Sequence, residues 1–533
     1  MRDPLVVLNN LASKSHLEEY VYFKIYRNLY NRNFYLVAYS KLAPNGGNLT
    51  EGVNGTTIDG MSIQRIDDLI EQIKNESYKP QPVRRTYIPK KNGKLRPLGI
   101  PSFNDKLVQE VVRMILEAIY ENSFSDHSHG FRPNRSCHTA LMEIKRNFTG
   151  VKWFIEGDIE GFFDNINHQK LISILRKRIK DEKFINLIWK FLKAGYMEDW
   201  KFHKTYSGTP QGGIISPILS NIYLNELDNF VENYKFDNFT EGKKRKRNPE
   251  YKLISGRIEY KVKKLKDNYE TLDESERRQL QDEINELRNT LRSMQYSDPM
   301  DGNDKRLLYV RYADDFLIGI IGSKKDASHI KEILSEFLKD ELKLNLSDDK
   351  TLITNGKDFA RFLSYDITIE NSHERIRDKN GNLRRFFNGR CQLYVPREKW
   401  INTLLDLGAL KIDRTGKWKW LHRPELINRD DLEILSTYNS EIRGFYIYYR
   451  LAKNASVVGK FYSLMKHSMF KTFANKYKTS TAKIIRKYSV NGTFMVKYET
   501  KSGTKYRKLY DEGFKRNESV IKNIDVDHLP NTF

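Results

Sequence analysis

Cysteine is scarce in this sequence, with only Cys137 and Cys391 among 533 residues. Two cysteines cannot by themselves build a disulfide framework or a four-cysteine zinc site. No apolar run approaches the length of a membrane span, and the N-terminus carries Asp3 and only a four-residue apolar patch, unlike a secretory signal. These absences argue against a secreted or membrane-spanning protein and fit a reducing cytoplasm.

Acidic residues are also in deficit. Lys and Arg together number 92 against 69 Asp and Glu, which gives a net charge of +23. This charge predicts a polyanionic partner, most simply a nucleic acid, with a membrane surface a distant second. Hydrophobic residues make up 39% of the chain, enough to form buried cores. Because 533 residues exceed the size of one compact core, we expect two to four domains.

Two acids are present where they are least expected, at Asp314 and Asp315 inside the apolar segment LLYVRYADDFLIGIIG. Adjacent side chains of a regular strand point to opposite faces, so one carboxylate would be driven into the core. A tight turn at Ala313 and Asp314 avoids this cost, because 307–312 and 316–321 then become the arms of a hairpin. On this segment alone, a cation site and an exposed acidic turn fit the pattern equally well.

A third acid, Asp158, follows the apolar strand predicted at 152–155. Ligand sites in mixed sheets favour strand ends, so Asp158 is expected to meet Asp314 and Asp315. Magnesium takes oxygen ligands, and two such ions about 3.5 to 4 Å apart activate an attacking hydroxyl and stabilise a leaving oxygen in phosphoryl transfer. The three aspartates therefore predict a two-magnesium site with polymerase chemistry.

The rest of the chain shows a clear order of elements. A basic hairpin is predicted at 83–101, and 238–304 reads as a charged surface insertion with one long helix at 272–294. A strand pair is expected after the acidic hairpin. Beyond about residue 393 the pattern predicts helices with basic outer faces. The basic residues proposed to track phosphates on those faces are Lys466, Lys471, Lys476, Lys478, Lys483, Arg486 and Lys487.

Seven sequence blocks then occur in a fixed order: IPKKNGKLRPLGIP, GFRP, GDIEGFFD, SGTPQGGIISP, YVRYADDF, LSDDK and FLSYD. Their order resembles the consecutive motifs of reverse transcriptases. The YADD box, the GTPQGGIISP loop and the helical region after them are similar to the reverse transcriptase/maturase encoded by bacterial group II introns, over about residues 34–488. The resemblance implies an α+β right-hand polymerase fold. Its fingers and palm would combine an antiparallel sheet with helices, and an all-helical thumb or maturase domain would follow.

The resemblance also implies roles for individual residues. Asp158, Asp314 and Asp315 would bind two Mg²⁺ ions and carry the catalysis. Lys350 would protonate the departing pyrophosphate, and Phe163 would act as a steric gate that excludes a 2′-hydroxyl. The remaining substrate-binding positions would be Lys90 and Arg96 at the triphosphate, Gln211 and Gly212 at the nascent base pair, and Arg132 beside the cleft.

The same resemblance implies a domain order and a set of partners. Residues 1–80 would form an N-terminal extension and the start of the fingers, 81–390 the fingers and palm, and 391–488 the thumb or maturase domain. Residues 489–533 would form a DNA-binding region without the endonuclease of many relatives, since paired cysteines are absent; either the protein lacks that domain or the sequence is truncated. The expected partners are group II intron RNA, target DNA, the primer–template duplex and dNTPs, and no membrane. The protein would help its intron RNA splice and copy it into DNA during target-primed retrohoming, as a ribonucleoprotein in the bacterial cytoplasm and nucleoid.

Two other classes of function remain open to test. A splicing factor built on an inactive polymerase fold would be expected to lose the metal-binding acids, yet all three are present. A reverse transcriptase of a retron or a defence system would be expected to lack the long basic helical region after the palm. The sequence therefore favours the intron-encoded enzyme.

Overall fold

The computed structural model describes residues 2–17, 19–89, 95–198, 201–209, 212–242, 245–294, 296–298, 301–302, 304–370, 375–377, 381, 383–385, 389–501, 503–522 and 526. In chain order the helices are α1 (Pro4–Ala12), α2 (Arg32–Leu42), α3 (Ile63–Lys74), α4 (Phe103–Tyr120), α5 (Cys137–Asn147), α6 (Phe162–Asn165), α7 (His168–Arg178), α8 (Glu182–Leu192), α9 (Ser216–Tyr234), α10 (Pro249–Asp267), α11 (Glu274–Ser293), α12 (Lys324–Leu342), α13 (Arg397–Asp406), α14 (Asp431–Tyr449), α15 (Val458–Lys476) and α16 (Thr481–Tyr488). The strands are β1 (Val83–Pro89), β2 (Leu95–Ile100), β3 (Trp153–Asp158), β4 (Tyr196–Glu198), β5 (Lys201–His203), β6 (Arg306–Tyr312), β7 (Asp315–Ile321), β8 (Leu352–Asn355), β9 (Ala360–Phe362), β10 (Tyr365–Ile369), β11 (Arg375–Arg377), β12 (Leu383–Arg385), β13 (Cys391–Tyr394), β14 (Leu410–Ile412), β15 (Trp418–Trp420), β16 (Ser489–Val490), β17 (Thr493–Thr500) and β18 (Gly503–Lys508).

Helix α4 lies at the centre of the first half of the chain. Phe103, Leu107, Val111 and Ile115 recur every four residues and are buried, which places one continuous apolar stripe inside the core. Ser102 caps the helix by accepting a hydrogen bond from the Asp105 backbone nitrogen. The helices α1, α2 and α9 pack around α4. One hydrophobic core therefore joins the N-terminal region to the helices α7, α8, α9 and α12.

The basic hairpin predicted at 83–101 is confirmed. Strands β1 and β2 are antiparallel, with Pro89 opposite Leu95. Strand β4 joins β1 in parallel, and the sheet has the order β2-β1-β4-β5. We call it the fingers sheet.

A second four-stranded sheet, the palm sheet, has the order β6-β7-β3-β8. Alternate side chains of its strands enter different cores: Leu307 and Ile318 face the core that contains α9 and α12, whereas Val310 and Leu317 face a core shared with the C-terminal helices. Gly157 in β3 lies against the Phe316 ring, where a Cβ would come within 2.1 Å of ring atoms. The sheet is therefore buried on both faces, and only its strand ends can reach a substrate.

The predicted strand pair after the acidic hairpin is arranged differently. Strand β8 pairs antiparallel with β3 and completes the palm sheet. Strand β10 instead pairs with β9 and β13 in a separate three-stranded sheet. The two predicted strands exist, but they belong to different sheets.

The charged insertion also differs from its prediction of one long helix. It contains two helices, α10 and α11, which pack against each other. Isolated bridges pair Glu241 with Lys305 and Arg247 with Ser297 at the base of the insertion. The first helix was missed because none of its residues is buried, so its apolar pattern is weak.

The C-terminal region, predicted to be all-helical, is mainly helical and centres on α14 and α15, but it also contains strands. Ile434, Tyr438, Ile442 and Phe445 form the buried stripe of α14, and Phe461 of α15 stacks on Phe445 at 4.4 Å. Short strands accompany these helices, namely the β14–β15 hairpin and the β16-β17-β18 sheet. Within the part of the chain that the structure describes, no helix has the length and apolar character needed to cross a membrane.

Candidate active site

Asp314 and Asp315 lie at the tip of the β6–β7 hairpin, as the sequence predicted. Ala313 adopts a left-handed conformation with a φ of 54°, which reverses the chain within two residues. Arg311 donates from Nη1 to the Ala313 carbonyl at 2.9 Å. Gly130 lies so close that a Cβ there would be 2.4 Å from the Ala313 nitrogen. The turn is therefore fixed by contacts from outside the two-residue tip.

Asp158 is brought to the same place by strand pairing. It ends β3 and lies directly opposite Asp315, which begins β7. Opposite residues in an antiparallel pair have Cβ atoms about 4.5 to 5.5 Å apart. Lys350 donates from Nζ to Asp158 Oδ2 at 2.8 Å. The structure thus gathers the residues that the sequence analysis assigned to catalysis: Asp158, Asp314, Asp315 and Lys350.

The three carboxylates of this cluster lie close enough to repel one another when they are ionised. Burial raises the pKa of Asp314, the charge of Asp158 adds to the rise, and Arg96 and Lys350 oppose it. Burial, and then the charges of Asp314 and Asp158, raise the pKa of Asp315 to about 7. A divalent cation would relieve this repulsion, and oxygen donors alone suit a hard ion such as Mg²⁺. Among the described residues, however, no group of three His, Cys, Asp or Glu side chains is arranged to hold a metal ion, so the metal cage that the sequence suggested is not preformed.

A buried ion pair supports the acidic turn from below. Arg311 and Asp228 are both fully buried and form a two-point contact, Nε to Oδ1 at 2.7 Å and Nη2 to Oδ2 at 2.5 Å. Tyr309 donates to Asp228 Oδ1 at 2.8 Å, and Arg311 Nη2 donates to the Ser128 hydroxyl at 2.8 Å. Sequence reasoning missed this network, although an arginine inside an apolar strand was a usable signal.

The predicted steric gate, Phe163, lies on the short helix α6. Gly161, the N-cap residue just before this helix, has a left-handed conformation with a φ of 54°. The Phe163 ring is half-buried and packs on Phe162 with a centroid distance of 5.3 Å. Phe163 is the fifth residue after Asp158, so the ring follows closely on the end of β3.

A cavity of about 380 Å³ lies beside this helix, between the fingers sheet and the loop at 204–209. Asp164 and Gly208 line one side, and Arg85 and Tyr196 line another. The Arg85 guanidinium lies 3.4 Å from the centre of the Tyr196 ring. A positive charge stacked on an aromatic ring suits contact with a nucleotide or a nucleic-acid strand.

The predicted triphosphate and base-pair contacts are only partly described. Arg96 lies on β2, and its charge acts on Asp314 across the cleft. Lys90 and Gln211 lie outside the described residues. Gly212 packs against β2, where a Cβ would be 2.5 Å from the Gly99 carbonyl oxygen. Its φ of +105° also favours glycine at this position.

Arg132, predicted to lie beside the cleft and bind substrate, has a different environment. Its guanidinium is buried and donates to the carbonyls of Ser125 at 2.6 Å and Ser128 at 2.8 Å. It also donates to the Glu121 carboxylate at 3.0 Å and the Glu121 carbonyl at 3.2 Å. These contacts fix the loop that carries Gly130, so the structure favours a supporting role for Arg132 over contact with substrate.

The basic surface predicted on the C-terminal helices is smaller than expected. Lys476 donates to Asp431 at 2.8 Å, and Lys471 donates to the Trp420 carbonyl at 2.9 Å, so both are engaged within the protein. Residues that remain exposed cluster on α16 and the turn before it: Lys478, Lys483, Arg486 and Lys487.

Comparison with known proteins agrees with this arrangement. Residues 88–243 match the reverse transcriptase (RNA-dependent DNA polymerase) family, and residues 388–523 match the type II intron maturase family. The group II intron-encoded protein LtrA of Lactococcus lactis subsp. cremoris is 44% identical over 512 residues, which covers 95% of this chain and 84% of that protein. The chain belongs to the group II intron-encoded reverse transcriptase/maturase family. It is accordingly an RNA-directed DNA polymerase and maturase with RNA as a partner, and the family implies dependence on a divalent metal.

More distant relatives of this reverse transcriptase/maturase are also similar to it. Protein YkfC of Escherichia coli strain K12 is 34% identical, and the matched region covers 68% of this chain and 83% of that protein. The putative COX1/OXI3 intron 2 protein of Saccharomyces cerevisiae is 35% identical, with 89% of this chain and 55% of that protein covered. Among solved structures, apo telomerase from Candida tropicalis, truncated from its C-terminal domain, matches with a TM-score of 0.33 at 15% identity, over 60% of this chain and 61% of that one. That likeness is too low to support a conclusion.

Proposed function

We propose that Asp158, Asp314 and Asp315 bind two Mg²⁺ ions and that the chain extends a DNA primer by two-metal nucleotidyl transfer. The observation that carries the proposal is the register pair of Asp158 and Asp315 beside Asp314. The raised pKa of Asp315 and its cause, burial next to two further carboxylates, support a cation site there. When bound, the ions would activate the primer 3′-hydroxyl and stabilise the leaving oxygen.

The protein groups around the ions would bind and orient the nucleotide. Arg96, with Lys90, would hold the triphosphate, because a guanidinium fork matches phosphate oxygens. Lys350 would donate its proton to the departing pyrophosphate. The hydrogen bond to Asp158 raises the pKa of Lys350, which keeps the ammonium charged and places a proton at the cluster.

Selection of deoxynucleotides would come from Phe163 and the loop opposite it. A ring beneath the sugar leaves no room for a 2′-hydroxyl. Gly212 would let the backbone approach the nascent base pair, with Gln211 contacting nucleotide or template. The cavity of about 380 Å³ near α6 supports this placement, because it provides room for a nucleotide-sized group beside Asp164, the residue that follows Phe163.

The remaining regions would hold nucleic acid, with residues 1–80 and the α16 surface contacting intron RNA and the thumb clamping the primer–template duplex. We also propose the domain order expected from the sequence, with 489–533 as the DNA-binding region. We propose that the protein acts as a cytoplasmic, nucleoid-associated ribonucleoprotein that retrohomes by target-primed reverse transcription. Counterion release from RNA phosphates would supply much of the affinity.

The experiment compares primer extension on an RNA template by the wild type and by Asp314→Ala. Extension by the wild type with Mg²⁺ and none by the variant is the expected result. Equal activity in both proteins would reject the role of the aspartates. Splicing of the flanking intron at low Mg²⁺ is measured in parallel with the same two proteins.

That parallel assay separates the alternatives. A splicing factor on an inactive fold would assist splicing with no extension by the wild type. A reverse transcriptase of another class would extend the primer and give no help to splicing. The proposed enzyme does both, and Asp314→Ala should keep the splicing activity.

A further inference from the structure

The helix that carries Phe163 is too short to supply hydrogen-bond donors for its own backbone carbonyls. Helix α6 has only 4 residues, and the last carbonyls of a helix have no partner within the helix. A loop far along the chain supplies the donors. The Gly208 nitrogen donates to the Ile166 carbonyl at 2.8 Å, and the Thr209 nitrogen donates to the Phe163 carbonyl at 2.7 Å. The Ser207 hydroxyl donates to the Asp164 carbonyl at 2.9 Å. We call residues 207–209 the capping loop.

Gly208 makes the closest contact in this capping loop. Its φ is +84°, and a Cβ would lie 2.6 Å from the Phe163 carbonyl oxygen and 2.8 Å from Asp164 Cα. Those neighbours are backbone atoms of α6 and cannot rotate away. Any side chain at this position would therefore push α6, and Phe163 with it, away from the capping loop.

His168 holds the capping loop from the other side. Its Nε2 donates to the Gly208 carbonyl at 2.6 Å, and the side chain is buried. The ring meets Trp189 edge-on at 6.1 Å, which restricts its orientation. His168 begins α7, a helix that packs on α8 and α9. His168 thus fixes the capping loop relative to the packed helices α7, α8 and α9.

We propose that His168 and Gly208 are positioning residues for sugar selection, since they fix the backbone of Phe163 through the capping loop. The inference depends on the proposed gate function of Phe163 and extends it. A gate must keep its place to within a fraction of an ångström, because a displacement of about 1 Å can cost 10²-fold in rate. A four-residue helix has too few internal hydrogen bonds to provide that rigidity.

The test measures the ratio of kcat/KM for a dNTP to that for the matching rNTP, in single-nucleotide incorporation by the full chain. The variants are His168→Phe, His168→Gln, Gly208→Ala and Ser207→Ala, with Phe163→Val as the reference. His168→Phe and Gly208→Ala should lower the ratio by about tenfold. His168→Gln, whose amide can still donate to the Gly208 carbonyl, should retain most of the ratio. Ser207→Ala removes one exposed contact and should lower it less.

His138→Phe is the matched control. His138 is also buried and also places Nε2 against a backbone carbonyl, that of Tyr448 at 3.0 Å. The control should lower thermal stability and leave the dNTP/rNTP ratio unchanged. Ser207→Ala, which should still lower the ratio, keeps the test valid if His168→Phe or Gly208→Ala fails to fold, and His168→Gln serves as the conservative rescue.

The outcomes distinguish this inference from the gate itself. If Phe163→Val lowers the ratio while the folded capping-loop variants keep the wild-type value, the positioning role is wrong and the gate stands. If Phe163→Val leaves the ratio unchanged, the gate is wrong and the inference falls with it. If His138→Phe lowers the ratio as much as His168→Phe, the effect is general destabilisation, which also overturns the proposal.

Discussion

Asp158 and Asp315 face each other across the last pair of the β3–β7 ladder. Like charges directly opposite in a sheet are destabilising, and here Asp314 adds a third carboxylate. Folding therefore places repulsion at the one end of the palm sheet where catalysis is proposed. Because this repulsion lowers the stability of the folded protein, its effect on the free energy of unfolding can be measured without substrate.

Replacing Asp315 by Asn should stabilise the protein while impairing the enzyme. In metal-free buffer we expect the free energy of unfolding to rise by about 1 to 2 kcal/mol, since one buried and repelled charge is removed. Primer extension with Mg²⁺ should fall by about 10²-fold or more. Denaturant titration in EDTA and extension assays measure the two effects. Lower stability together with full activity would contradict the prediction.

The same residue should make the metal-free protein sensitive to pH. An unfolded aspartate has a pKa of about 4, whereas burial and the two neighbouring acids raise the folded pKa of Asp315 to about 7. The folded state binds this proton more tightly, so the stability from this group is complete below the unfolded pKa and is lost as pH rises through the folded pKa. Melting temperatures in EDTA should show that loss in the wild type but not in Asp315→Asn. Saturating Mg²⁺ should reduce it.

Lys350 should affect turnover more than substrate binding. Its side chain is 66% exposed, so Lys350→Met should leave the melting temperature nearly unchanged. Loss of a proton donor should lower kcat by about 10² to 10⁴-fold with a small change in KM. Lys350→Arg keeps the charge but is a poorer acid. Full kcat in the arginine variant would show that the charge acts and the proton does not.

The ion pair of Arg311 and Asp228 should be strongly coupled. Removing either partner leaves a buried unpaired charge, so Arg311→Met or Asp228→Leu alone should cost about 3 to 5 kcal/mol of unfolding free energy. The double variant leaves no unpaired charge and should therefore cost less than either single variant. As a control, the exposed pair of Arg176 and Glu182 should contribute about 0 to 1 kcal/mol.

Primer extension by the Arg311→Met/Asp228→Leu protein tests the support of the acidic turn. Its unfolding free energy is partly restored, yet the Ala313 carbonyl has lost the donor that Arg311 supplied at 2.9 Å. We therefore expect activity to stay low after stability has recovered. Activity that returned in step with stability would show that the ion pair serves the fold alone.

The exposed cluster on α16 should contribute to RNA binding in a salt-dependent way. RNA affinity of the wild type should fall by orders of magnitude between about 50 and 200 mM salt. Lys483→Gln with Arg486→Gln should reduce the slope of log K against log salt by about 2. The control pair Arg278→Gln with Arg288→Gln, on the exposed side of α11, should leave the slope near the wild-type value. Equal slopes in all three proteins would exclude the α16 surface as a phosphate contact.

The acidic hairpin could be predicted from sequence because its determinants are local. Apolar arms on either side of two acids allow only a turn, and the turn forms at Ala313 and Asp314 as expected. Asp158 was placed beside the acids by strand-end reasoning and by resemblance to a family. Spacing alone could not have fixed the register that sets it opposite Asp315.

Other features depend on contacts that sequence spacing does not reveal. Asp228 is 83 residues from Arg311, so neither residue indicates the other. Arg132 looked like a binding residue because it lies in a motif, but burial and four hydrogen bonds direct it into the protein. Helix α10 gave little signal, because it packs on α11 with none of its residues buried and an exposed helix needs no strong apolar stripe.

The insertion that holds α10 and α11 begins and returns at adjacent points, where Glu241 pairs with Lys305. A segment whose two ends are already joined can be exchanged for another folded unit with little strain on the host. A fluorescent protein or an affinity handle could replace 248–296 and leave both bridges at the base of the insertion in place. The polymerase could then be followed on its RNA with both of its chain termini left untouched.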